Sequence, residues 1–175
     1  MSFPVCLSRR GFLSQCAALA GAGLVPALRP AEVLAAQAPA PLFSQSFPDL
    51  DGRQVAMSQW LGKPIVANFW ATWCAPCVKE MPDLEKLRAG HPGVQFLGLG
   101  VDTAGNMRTF LEKVHVSYPL LVLGYGGVST MRALGNTKGG LPFTAVFDSQ
   151  GNVARTILGP VDPADLSATL GGLSG

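Results

Sequence analysis

Histidine is almost missing from this chain: His91 and His115 are the two in 175 residues. A structural zinc site needs four ligands, usually paired at short spacing. Neither histidine has another beside it, which argues against zinc. Charge is scarce as well, with Asp, Glu, Lys and Arg together making 14%. The net +2 arises from Arg9, Arg10, Arg29 and Glu32. From residue 39 onward ten basic side chains meet ten acidic ones. A neutral body without a basic stripe argues against nucleic acid as a partner. There is no internal repeat. An uninterrupted apolar run of about 20 residues, as a membrane span requires, is also lacking, since Pro26 breaks the run from Cys16 to Leu28. Cysteine is limited to four positions.

What is present begins with a leader. Ser8-Arg9-Arg10-Gly11-Phe12-Leu13 precedes the apolar, Gly/Ala-rich run, and Ala36-Gln37-Ala38 follows it as a small-x-small cleavage pattern. Residues 1–38 read as an export signal of twin-arginine type, although the usual Lys after that motif is absent. The expected destination is the periplasm, with membrane anchoring if the leader is kept. Residues 39–41 read as a stiff linker, and 42–175 as one domain. The apolar fraction of 48% is enough for a core. Cys6 and Cys16 lie in the leader. The exported part therefore retains Cys74 and Cys77, in a compartment where disulfides persist.

Phe47 to Val55 carries an Asp51-Gly52 turn between apolar residues and reads as a hairpin. Ser58 to Gly62 reads as one helical turn. Pro64 to Trp70 (PIVANFW) suits a central strand buried on both faces. Ala75 to Ala89 has helical periodicity, with Val78, Met81, Leu84 and Leu87 on one side, and Pro82 predicts a kink. Val94 to Val101 is a second buried strand, followed by a helix over 106–114 and a strand over 118–123. A helix over 128–134 precedes a hairpin of 143–148 and 153–158. Asp162-Pro163 caps a terminal helix reaching about Leu170. The order predicts an α/β layered domain with a mixed sheet.

Cys74-Ala75-Pro76-Cys77 falls where the first buried strand gives way to a helix. A helix N-terminus carries about half a positive charge and unpaired amide donors. Both favour a thiolate, so Cys74 is expected to have a lowered pKa. Cys77, one turn further in, is expected to be less exposed. Cys74 then attacks a substrate disulfide, and Cys77 resolves the mixed disulfide. Pro76 suits the first turn, where a missing amide costs little. A staple across so small a loop would stabilise little. A Cu(I) site formed by the pair plus one distant histidine is chemically feasible, so copper binding or delivery stands as an alternative. A thiol peroxidase of related fold is another, although it calls for an isolated peroxidatic Cys.

Three further positions invite a reading. Pro142 directly precedes a strand, where it is either an edge-strand start or a cis turn. Glu80, three residues after Cys77, is either a solvated charge or a partly desolvated carboxylate that exchanges protons with the thiols. Trp73 is either a cover over the pair or core.

The run Phe69-Trp70-Ala71-Thr72-Trp73-Cys74-Ala75-Pro76-Cys77, with Glu80 and Pro82 after it, closely resembles the TlpA/ResA type of exported thioredoxin-like proteins. The likeness extends from about Phe47 to the C-terminus and includes the Asp102 strand end and Gly140-Leu141-Pro142. It implies a thioredoxin fold with an added N-terminal hairpin and a central αβ insertion. It implies Cys74 as nucleophile, Cys77 as resolving thiol, and Pro142 as a cis-proline facing them. Leu141 would then offer backbone groups to a bound peptide, with Trp73 and Pro76 beside it. Glu80 matches the acidic residue of the ResA-like branch. The resemblance further implies a monomeric reductase without cofactor or metal. Its clients would be protein disulfides, such as those of apocytochrome c or copper-delivery proteins, and its electrons would come from a membrane thiol carrier. Asn68 departs from the aspartate of cytosolic thioredoxins, which removes their buried-acid relay. No large helical insertion of DsbA type is visible.

Overall fold

The computed structural model describes residues 38–173. The leader expected over residues 1–38 lies, but for its last residue, outside the described residues. The folded chain is tied down slightly before residue 42. The Ala40 amide donates to the Gly151 carbonyl, and Pro41–Ser44 form a 3-10 turn that buries Leu42 and Phe43. Proline at the start of that turn sacrifices an amide that would have no partner there.

Strands β1 (Ser46–Pro48) and β2 (Gln54–Ala56) form the early hairpin, with Gly52 in the left-handed region at φ 85°. A 3-10 turn, Met57–Trp60, follows. The main sheet contains β3 (Ile65–Trp70), β4 (Gln95–Gly100), β5 (Leu120–Val122), β6 (Phe143–Phe147) and β7 (Val153–Leu158), in the order β5-β4-β3-β6-β7. β3 runs parallel to β4 and antiparallel to β6, and β6 runs antiparallel to β7. The helices are α1 (Ala75–Gly90), α2 (Ala104–Leu111), α3 (Gly127–Ala133) and α4 (Pro163–Leu173). This is a thioredoxin-like fold. α2 and β5 supply the central insertion, and β5 takes the sheet edge beside β4.

All six residues of β3 are buried, because the strand lies in the middle of the sheet with packed layers on both faces. Side chains alternate across a strand. Ile65, Ala67 and Phe69 therefore enter one core with Leu42, Phe43, Met131 and Leu134. Val66 and Trp70 enter the other, with Met81 and Leu84 of α1 and Leu166 and Leu170 of α4. Each fully buried Leu or Phe contributes about 1.5–3 kcal/mol of transfer free energy. Asn68 shares parity with Val66 and Trp70, so it points into the second core.

Several boundaries differ from the sequence reading. α2 starts earlier than expected because Thr103 caps it, its hydroxyl accepting from the Asn106 amide at 3.2 Å. α1 continues through Pro82 as one element, Ala75–Gly90. Pro82 is exposed, so the Val78 carbonyl that loses its donor faces the solvent side of the helix. α4 begins as the Asp162-Pro163 pair predicts, since Asp162 Oδ1 accepts from the amides of Ala164 and Asp165.

Candidate active site

Cys74 is the N-cap of α1, and its sulfur accepts a hydrogen bond from the Cys77 amide at 3.4 Å. A disulfide links the two residues, with Cα atoms 5.3 Å apart. The helix N-terminus predicted for this pair is present. Cys77 is fully buried, whereas Cys74 retains 6% exposure, so the expected ordering of accessibility holds while both sulfurs are largely enclosed. Pro76 sits in the first turn and is exposed. Trp73 is 63% exposed, which removes the core alternative for it.

The peptide bond between Leu141 and Pro142 is cis. Phe69 of β3 pairs with Phe143 of β6, which brings Pro142 to the end of β3 from which the Cys74 turn departs. The Pro142 carbonyl accepts from the Gly159 amide at 2.9 Å. Among the described residues Leu141 makes no hydrogen bond, while its side chain packs against both cores. The loop ahead of it is held by Asn136, which sequence reasoning passed over. The Asn136 Nδ2 donates to the Gly140 carbonyl at 2.8 Å. Asn136 is 4% exposed, a burial that the sequence does not reveal.

Glu80 is buried to 6% exposure, contrary to the solvated-charge reading. Its Oε1 accepts from Asn68 Nδ2 at 2.7 Å and its Oε2 from the Val161 amide at 3.0 Å. The same Asn68 Nδ2 donates to Thr144 Oγ1 at 3.0 Å. Burial pushes the Glu80 carboxyl above its ordinary range, and the bonds from Val161 and Asn68 offset part of that rise. A buried acid with a raised pKa, one helical turn beyond Cys77, is suited to exchanging a proton with a thiol. Asn68, the residue that replaces the thioredoxin aspartate, thus orients a carboxylate supplied by the neighbouring helix.

Asp102 follows β4 and is 1% exposed. Burial alone would raise its pKa, but bonds from Thr72, Asn106 and Thr103 outweigh it and hold the carboxyl below the usual range. Its Oδ2 accepts from the Thr72 hydroxyl at 2.6 Å and the Thr72 amide at 3.1 Å.

The histidines lie elsewhere. His91 follows the last turn of α1, a helix of 16 residues, and at about 1.5 Å per residue that places it about 25 Å from Cys74. It pairs with Ser167 Oγ at 2.9 Å. His115 precedes β5, at the strand end opposite the cysteines, because β5 runs parallel to β4 and β4 to β3. The copper alternative, which needed one of them beside the pair, is therefore not favoured. The peroxidase alternative is not favoured either, because the presumed isolated cysteine is bonded to a partner three residues on.

The Redoxin family profile matches residues 35–171. Thiol-disulfide oxidoreductase ResA of Geobacillus thermodenitrificans is 32% identical over 125 residues, covering 70% of this chain and 70% of that protein. Among solved structures, MTB dsbF in its mixed oxidized and reduced forms is 32% identical with a TM-score of 0.68. That match covers 78% of this chain and 99% of the other. The thioredoxin-related protein from Neisseria meningitidis serogroup B is also 32% identical, with a TM-score of 0.66, over 73% of this chain and 98% of that one.

Proposed function

The chain belongs to the Redoxin family, and from that premise we propose that it is an extracytoplasmic thiol–disulfide oxidoreductase working as a reductase of protein disulfides. The observation that carries this reading is the Cys74–Cys77 couple at the start of α1, backed by the buried carboxylate of Glu80. The ResA relative is named for the same chemistry. Export rests on the leader pattern of residues 1–38. No helix among the described residues is long and apolar enough to cross a membrane.

In the reduced protein the Cys74 thiolate attacks one sulfur of a client disulfide. A mixed disulfide forms and the first client thiolate leaves. Cys77 gives its proton to the Glu80 carboxylate and attacks Cys74 Sγ. The second client thiolate leaves, and the Cys74–Cys77 disulfide closes. Two electrons pass to the client, and the two client thiolates take up protons, one of them returned by Glu80. Leu141 binds the client backbone beside Pro142, and Trp73 and Pro76 give it an apolar surface. A membrane thiol carrier resets the couple, and clients such as apocytochrome c or copper-delivery proteins receive the electrons.

The direction is set by the reduction potential, since 30 mV corresponds to about 1.4 kcal/mol for a two-electron couple. Equilibration of the protein with glutathione buffers tests it. A potential well below the glutathione poise is expected. A value near that of a strong oxidant, about −120 mV, would assign the opposite direction.

A further inference from the structure

One carboxylate ties the insertion of this fold to the turn that carries the nucleophile. Asp102 Oδ1 accepts from the Thr103 amide and from Asn106 Nδ2, both at 2.7 Å, and so belongs to the cap of α2. Its Oδ2 accepts twice from Thr72, through the backbone amide and the hydroxyl. Thr72 lies within the turn closed by the bond from the Cys74 amide to the Ala71 carbonyl at 3.1 Å. Just before it, the Val101 amide donates to the Trp70 carbonyl at 2.8 Å, so both strand ends are locked together at this point. Four donors converge on a carboxylate that is 1% exposed. Trp73, the residue between Thr72 and Cys74, is by contrast 63% exposed.

We propose that Asp102 is a positioning residue for the dithiol: by gripping Thr72 through two hydrogen bonds it fixes the Ala71–Cys74 turn and so sets the reactivity of the Cys74 sulfur. This rests on the reading of Cys74 as the attacking thiol. The physical ground is that the amide field at a helix N-terminus falls off within the first turn. The cap residue must therefore be held in place for its sulfur to feel that field. Nothing else among the described residues hydrogen-bonds the Thr72 side chain. Misplacement of a reacting group by about 1 Å lowers a rate by up to about 100-fold. The loss of one of two bonds to Thr72 is expected to give about a tenfold effect.

The test uses the full chain, reduced, with alkylation at Cys74 followed across pH by mass spectrometry. Thr72→Val removes the hydroxyl donor and keeps the shape, Thr72→Ser keeps the donor, and Asp102→Asn removes the charge. Thr72→Val is expected to slow Cys74 about tenfold and to displace its pH midpoint, and Thr72→Ser to retain the unaltered profile. Asp102→Asn combined with Thr72→Val should fall short of the sum of the two single effects, because both remove the bond from the Thr72 hydroxyl. Denaturation midpoints of the oxidised forms are read in parallel. Should Thr72→Val lower that midpoint yet keep the unaltered Cys74 profile, the contact is structural and the proposal falls. Additive effects in the double variant would overturn it too. If Asp102→Asn does not fold, the Thr72 pair decides. An unaltered chain whose Cys74 alkylates like an ordinary thiol would instead sink the functional reading, whatever the variants do relative to it.

Discussion

The side-chain amide of Asn68 donates to the carboxylate of Glu80 at 2.7 Å, joining the middle of the central strand to the active-site helix inside the domain. The contact pairs a buried acid, Glu80, with a neutral donor. Its proton affinity is governed first by burial and second by two hydrogen bonds.

Glu80 makes stability depend on pH with a definite sign. Its folded pKa lies above its ordinary 4.5, so the folded state holds the proton more tightly than the unfolded chain. The stabilisation is complete below the ordinary value and is lost as pH rises through the folded value. Glu80→Gln should remove this decline, flattening the pH profile by at most about 1.4 kcal/mol per pH unit. Urea unfolding of the oxidised forms from acidic to neutral pH measures the difference. An identical slope in both proteins would mean that Glu80 does not change protonation on unfolding.

Asn68→Leu should destabilise the protein by about 1–3 kcal/mol, since it strips a donor from a buried carboxylate. Thr144→Val should cost less, about 1 kcal/mol, because Thr144 Oγ1 only shares the Asn68 amide. Denaturant midpoints rank the two, and a larger loss for Thr144→Val would reverse the assignment of the primary partner.

Cys74→Ser should abolish insulin reduction, and Cys77→Ser should accumulate mixed disulfides visible on non-reducing gels. Turnover surviving in Cys74→Ser would transfer the nucleophile's role to Cys77, which is fully buried in the oxidised form.

Gly98→Ala should destabilise by about 1–3 kcal/mol through overpacking. A Cβ at this strand position would run into Leu120 Cδ2 and approach Tyr118 Cε2 to 3.1 Å and Trp70 Nε1 to 3.2 Å. Thermal unfolding checks it; a wild-type melting temperature would show that β5 yields to the added methyl group.

The secondary structure was largely legible because local chemistry dictates it. PIVANFW is apolar enough to be a central strand, Asp162-Pro163 is a helix start, and Asp51-Gly52 is a turn, whatever surrounds them. The location of the cysteine pair was legible for the same reason, as a strand-to-helix junction is a local event. Even the parity of Asn68 follows from the two-residue period of a strand. Which residue it meets does not, for Glu80 lies 12 positions away on another element. Likewise the sequence left Glu80 between a solvated and a buried reading, and left Trp73 between cover and core, since burial is a property of the assembled layers. The grip of Asp102 on Thr72 spans 30 positions and exists only because β4 lies beside β3 in parallel register. Local residue chemistry thus determined the strands, the helices and the reactive pair. Only the packing of distant segments decided which polar groups lose water, and hence which of them can tune a sulfur.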